Sequence, residues 1–234
     1  MSNDHVVFLN LLLLSDNSEY TIYRRGIMFY LSLIEHTLRL PPHLLSLSQD
    51  KAVRHELENL FLDKVIANLG LCISLYDIRR IDGGFIFPGD GAPTYTVECR
   101  LIVFRPFIGE IIDAKLKEFD KDGLRLSMGF FDDIYIPFHL LPYPSRFEPD
   151  SENGNRFRWI WEYRDANEEN GADQTSGTVL YPIDEIGETI RFRVQSVNYP
   201  SIPLEQPKDA KPFAPMVITG SLDNDGLGPL SWWE

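Results

Sequence analysis

The sequence predicts an α+β domain followed by an all-β barrel. Residues 28–105 combine strand-like runs with one stretch of helical periodicity, whereas from Gly109 short alternating runs follow one another between turn signals. Between the two, Arg105-Pro106-Phe107-Ile108-Gly109 interrupts the pattern, because Pro106 has no backbone donor and Gly109 tolerates a bend. A chain of 234 residues, 44% hydrophobic and 24% charged, can bury one large or two small cores, and the break favours two.

The opening run Val6–Leu14 lacks a basic flank, is preceded by Asp4, and is followed by Ser15-Asp16-Asn17-Ser18-Glu19 rather than a small-residue cleavage site. It is also too short to span a bilayer as a helix, so a short hydrophobic strand or an adventitious extension is expected. Met28–Glu35 reads as the first true strand of the fold. Pro41-Pro42 forbids helix just before it, and Ser48 is placed to cap a helix from Gln49 to about Leu62. Val53, Leu57, Leu60 and Phe61 form its apolar face, which must lie on a sheet. Leu69–Ile78 is the next strand, Pro88-Gly89-Asp90-Gly91 a turn, and Tyr95–Phe104 a strand with Tyr95, Val97, Cys99, Leu101 and Val103 on one face.

After the break, strands are expected at Glu110–Phe119, Leu124–Met128 and Phe130–Ile136, a meander turning at Asp120-Lys121-Asp122-Gly123 and closed by Pro137. On the first of these, Asp113, Lys115 and Lys117 face one way and Ile112, Ala114, Leu116 and Glu118 the other. A proline-rich passage (Pro142, Pro144, Pro149) leads to Arg156–Tyr163, where Phe157, Trp159, Trp161 and Tyr163 share one face and Arg156 and Arg158 the other. Asp165–Thr178 and Tyr199–Pro215 read as loops. Glu188–Val197 is a strand with Ile190, Phe192 and Val194 inward and Arg191 and Arg193 outward. Met216–Ser221 and Leu227–Trp233 are expected to pair as a hairpin about Asn224-Asp225-Gly226. Six or seven short strands suffice for a closed barrel of OB type with insertions.

Cys72 and Cys99 both sit in apolar runs, which reads as reduced, buried thiols in an intracellular protein, and no Asn-x-Ser/Thr sequon occurs. The net charge of −13 is concentrated in residues 106–234, which hold 12 basic and 23 acidic groups. Such a balance opposes phosphates, so nucleic-acid contact must be local, weak or helped by a partner. No Gly-Lys pair, GxGxxG or Gly-x-Ser-x-Gly occurs, and the five histidines show no ligand spacing, so no metal or cofactor is expected. Asp223-Asn224-Asp225-Gly226 imitates a calcium loop but lacks its terminal acidic residue. Asp132-Asp133, as neighbours on a strand, would point to opposite faces. Nothing supports catalysis. The binding features are Lys115, Lys117, Arg125, Arg191 and Arg193 as local cations, with Phe130, Phe131 and His139 as rings on which single-stranded bases could stack. The bland alternative is a solvated barrel face with aromatic core residues.

Five strings are distinctive: Leu69–Asp77 (LGLCISLYD), Phe87–Ala92 (FPGDGA), Val103–Ile111 (VFRPFIGEI), Gly129–Pro137 (GFFDDIYIP) and Gly226–Glu234 (GLGPLSWWE). Together they resemble the larger stalk subunits of RNA polymerases, and the Gly-Phe-Phe-Asp-Asp and Ser-Trp-Trp segments resemble the polymerase III branch. The resemblance covers residues 28–234 and leaves 1–27 outside it. It implies a tip domain of truncated RNP-like fold over 28–105 and an S1-type OB domain with loop insertions over 106–234. It also implies a nuclear, non-catalytic subunit that pairs with the smaller stalk subunit and docks on the polymerase core through Pro88, Gly89, Asp90 and Gly91. Initiation factors and the nascent single-stranded RNA are its further implied partners, in transcription of small structured RNAs; no membrane is involved. A free-standing OB-fold RNA-binding protein is the alternative, disfavoured by the acidic second half, and an enzyme with an unrecognised site is a third reading.

Overall fold

The computed structural model describes residues 12–13, 21–24, 27–149, 157–164, 178–201 and 213–233. They fall into two compact units that part between Pro106 and Phe107, the chain returning to the first at Tyr199 and to the second at Val217.

In the first unit, β1 (Leu12–Leu13) and β2 (Thr21–Arg24) both pair antiparallel with β3 (Ile27–Arg39). Of the two expectations for Val6–Leu14, a short strand or an extension, Leu12–Leu13 meets the first: the outer edge of β3 has open backbone groups, and the preceding chain supplies partners for them. The rest of Val6–Leu14 lies outside the described residues. A 3-10 turn at Pro42–Ser46 leads into α1 (Gln49–Phe61), whose N-cap Ser48 is extended, with no hydrogen bond from its side chain. Next come β4 (Val65–Ile66), β5 (Gly70–Ile86) and β6 (Pro93–Phe104). β6 lies between β3 and β5, so it pairs both with its neighbour in sequence and with the strand at the other end of residues 28–105.

Ala52, Val53, Leu57 and Phe61 of α1 pack on Ile34 and Leu38 of β3, Cys72 and Leu75 of β5, and Val97, Cys99, Leu101 and Val103 of β6. The period of 3.6 on the helix and of 2 on the strands meets in one core. Both cysteines are free and buried there. Burial pushes each thiol up to about 12. On the opposite sheet face Arg100 holds Asp77 through two hydrogen bonds of 2.8 and 2.5 Å, while its guanidinium lies 4.9 Å from the ring centre of Tyr76. Against β6, the register of β5 slips at four places, the last between Gly83 and Phe85.

The second unit opens with β7 (Ile111–Asp120), β8 (Gly123–Ser127) and β9 (Ile134–Pro137). A separate antiparallel sheet of β10 (Ser145–Pro149), β11 (Phe157–Arg164) and β12 (Thr178–Ile183) follows, then β13 (Thr189–Asn198), β14 (Val217–Ser221) and β15 (Gly228–Pro229). β7, β8, β9, β14 and β13 close into a ring, antiparallel except between β9 and β14. Ile112, Leu116, Leu124, Leu126, Ile134, Ile136, Ile190, Phe192, Val194 and Ile218 fill it. This is the closed barrel of OB type that the strand count predicts.

Three local expectations are corrected. Phe130–Asp133 is a loop and not the start of a strand, because Gly129 turns the chain at φ +86° and the carboxylate of Asp132 accepts from Lys117 and Ser127. Asp132 and Asp133 are consequently both exposed loop residues. Glu118 faces outward with Lys117, since a bulge between Leu116 and Glu118 shifts the alternation by one. The terminal hairpin does not form: β14 is bonded on both edges, to β13 and β9, so β15 pairs instead with the far end of β13 at Ile190 and Arg191.

Candidate functional site

Two regions carry the expected binding residues. In the first unit, β5 and β6 run out into a hairpin whose tip is Phe87-Pro88-Gly89-Asp90-Gly91. Asp90 N–H donates to the Phe87 carbonyl at 2.9 Å, and Gly89 sits at φ +83° with no atom near where a Cβ would lie. The Asp90 carboxylate accepts from Arg39 Nε at 2.8 Å and from a terminal guanidinium nitrogen, and also from Ala92 N–H at 3.2 Å. The Arg39 guanidinium holds this carboxyl below the usual carboxylate range. Arg39 ends β3, so the fork ties the tip to a different strand. Sequence reasoning gave Asp90 an outward role and overlooked Arg39, whose distance of about fifty positions along the chain hides the pairing. It also overlooked Phe85, Ile86 and Phe87, which are 73, 61 and 59% exposed. Three consecutive large apolar residues before Pro88 were the available signal.

In the second unit the expected cations do not form one patch. Lys117 is 2.8 Å from Asp132, Arg125 2.9 Å from Glu118, and Arg191 holds Asp113 through bonds of 2.9 and 3.2 Å. Arg125 also lies 5.5 Å from the ring centre of Tyr135. Lys115 and Arg193 have no ion-pair partner among the described residues, and Lys115 faces Thr189 across the β7–β13 ladder while Arg193 faces Ile111. Phe131 is buried and is a core ring. Phe130 is half exposed, and His139 is exposed with its ring edge-on to Phe138.

The sequence's aromatic strand finds its partners in the inserted sheet. Phe147 stacks on Phe157 at 5.2 Å, and Trp161, Tyr181 and Trp232 form a second group with centroids 5.3–5.4 Å apart. Trp159 Nε1 donates to the Asp120 carbonyl at 2.9 Å, which anchors this sheet to the β7–β8 turn. Among the described residues no cluster of His, Cys, Asp or Glu could hold a metal ion, and no helix is long and apolar enough to cross a membrane.

Comparison with known proteins decides the family. The profile of RNA polymerase III subunit Rpc25 matches residues 110–233, and that of the SHS2 domain found in the N terminus of Rpb7p and Rpc25p matches residues 35–91. This chain belongs to the Rpc25 family. DNA-directed RNA polymerase III subunit RPC8 of Bos taurus is 36% identical over 216 residues, 88% of this chain and 98% of the relative. The subunits of the same name from Schizosaccharomyces pombe and Saccharomyces cerevisiae are 34% and 33% identical, each over 88% of this chain and 100% of their own length. For an Rpc25-family chain, the SHS2 unit with its projecting hairpin and the barrel with its inserted aromatic sheet are the two surfaces to weigh.

Proposed function

We propose that this protein is a non-catalytic subunit of DNA-directed RNA polymerase III, the larger member of its stalk heterodimer. The observation that carries the reading is near-complete coverage of relatives named as polymerase III subunit RPC8, at 33–36% identity. In this reading, residues 28–105 form the tip domain that docks on the core through the Pro88–Gly91 loop, residues 106–234 form the S1/OB domain, and residues 1–27 precede both. Its partners are the smaller stalk subunit, the polymerase core, initiation factors and the nascent single-stranded RNA, and its place is the nucleus. The subunit supports initiation on genes for small structured RNAs and contains no catalytic group of its own.

RNA contact is weak and sequence-tolerant in this reading. Of the expected cations, pairing of Lys117, Arg125 and Arg191 with carboxylates leaves Lys115 and Arg193 able to replace counterions, and of the expected rings Phe130 and His139 are exposed for stacking. The test is purification of the tagged full chain from cells. Polymerase III subunits in stoichiometric yield are expected; recovery of RNA without polymerase would return the protein to the free-standing RNA-binding class.

A further inference from the structure

We propose that the Arg39–Asp90 pair is a latch that fixes the projection of an apolar ridge, Phe85-Ile86-Phe87, and that this ridge, not the Asp90 carboxylate, enters an uncharged apolar cleft on the polymerase core. The inference rests on the proposed docking role of the tip and names what the tip presents.

Four features converge on it. The three ridge side chains are largely exposed, on a hairpin end where no core of their own covers them. Asp90, the only charged residue between Gly83 and Gly91, has both carboxylate oxygens engaged, by the fork of Arg39 and by Ala92 N–H. A planar guanidinium on a carboxylate fixes direction as well as distance. The charge of the tip is therefore spent within the molecule, and an apolar cleft complements what remains. Finally, Gly83 and Gly84 at φ +97° and +88° adjoin the last register slip of β5, which bends the strand before the ladder resumes at Phe85–Thr94 and Ile86–Pro93. The tip lies beyond this bend and past the last ladder pair, Ile86–Pro93, and Arg39 reaches in from β3 to hold it in one direction.

Arg39 is thus a positioning residue that touches no partner. The test measures binding of the full chain, paired with the smaller stalk subunit, to polymerase III core stripped of its stalk. Arg39→Gln and Asp90→Asn are each expected to weaken binding about two- to fivefold, the scale of a partly exposed ion pair. The double variant is expected to be no weaker than either single one, because both remove the same interaction. Phe85→Ser with Phe87→Ser is expected to cost roughly tenfold or more. Unfolding temperatures of all four variants stay at the wild-type value, which separates a positioning effect from loss of the fold. Losses that multiply in the double variant, or a loss with Asp90→Asn when Arg39→Gln binds as the wild type, would mean that Asp90 meets the core directly. Wild-type affinity of the Phe85/Phe87 variant would remove the ridge from the interface. If the unmodified heterodimer does not bind the stripped core, the docking reading fails first, before any variant is compared, and the latch fails with it.

Discussion

His36 is the residue whose chemistry is most at odds with its surroundings. It lies on the helix-facing side of β3, 8% exposed, its ring edge-on to Phe61 at 5.4 Å and its Nδ1 buried without a hydrogen-bond partner among the described residues. Burial disfavours the imidazolium and holds the pKa below the ordinary value of 6.5. The unfolded chain then binds more protons than the fold between the folded pKa and 6.5. Its contribution to stability is complete above 6.5 and is lost as pH falls below it. Chemical denaturation from pH 8 to 5 should show the first unit weakening with acid, and His36→Phe should flatten that dependence. A slope unchanged by the substitution would place the sensitive group elsewhere. Cys72 and Cys99, in the same core, should resist a thiol reagent at neutral pH until the unit opens, since the thiolate is the reactive form.

Elements with an uninterrupted period were legible in the sequence: α1 with its face of Val53, Leu57 and Phe61, the alternating half of β6, and β13 with Ile190, Phe192 and Val194 inward. What escaped was set by partners far along the chain. The bulge at Leu116/Glu118 turns Glu118 toward Arg125, and Asp132 reaches back to Lys117, so a face that reads as basic is neutralised pairwise. Removing Lys115 and Arg193 together should consequently flatten the salt dependence of RNA binding by the stalk heterodimer more than removing Lys117 and Arg125. Titrations at several salt concentrations compare the two pairs, and equal slopes would count against the distinction. At the front edge, a chain beginning at Ile27 keeps the β3–β6 ladder and the α1 core, so it should fold. It leaves the other edge of β3 open. Self-association in sedimentation runs is the expected cost; a monomer indistinguishable from the full chain would show that β1 and β2 protect nothing.

At the scale of the molecule, nature has labelled the two units separately. All four tryptophans, Trp159, Trp161, Trp232 and Trp233, belong to the second unit, and both cysteines to the first. Tryptophan emission and thiol exposure therefore follow different parts of one chain. Leu57→Ala, which empties a fully buried position under α1, should cost about 2–5 kcal/mol and advance thiol exposure in urea. Phe192→Ala inside the barrel should cost about 3–5 kcal/mol and advance the emission change. Each variant should move its own transition more than the other. Equal displacement of both signals by either variant would show that the units unfold as one.

The ring of strands in the second unit also sets how fast it can form. β7 meets β8 across a short turn, but the ring closes only when Lys115 finds Thr189 and Ile134 finds Ile218, pairs separated by more than seventy residues. The inserted sheet occupies that interval, and its β10–β11 and β11–β12 ladders join neighbours in sequence that can pair before the ring is complete. Entropy of closure rises only with the logarithm of the interval, about 0.6 kcal/mol for each doubling, so the insertion scarcely lowers stability. Speed is another matter, because distant pairs must be found before they stabilise anything. The barrel is then the slow partner in refolding, and until it closes the outer strands stand open to other chains, which makes its nascent period the time when the protein most needs a chaperone.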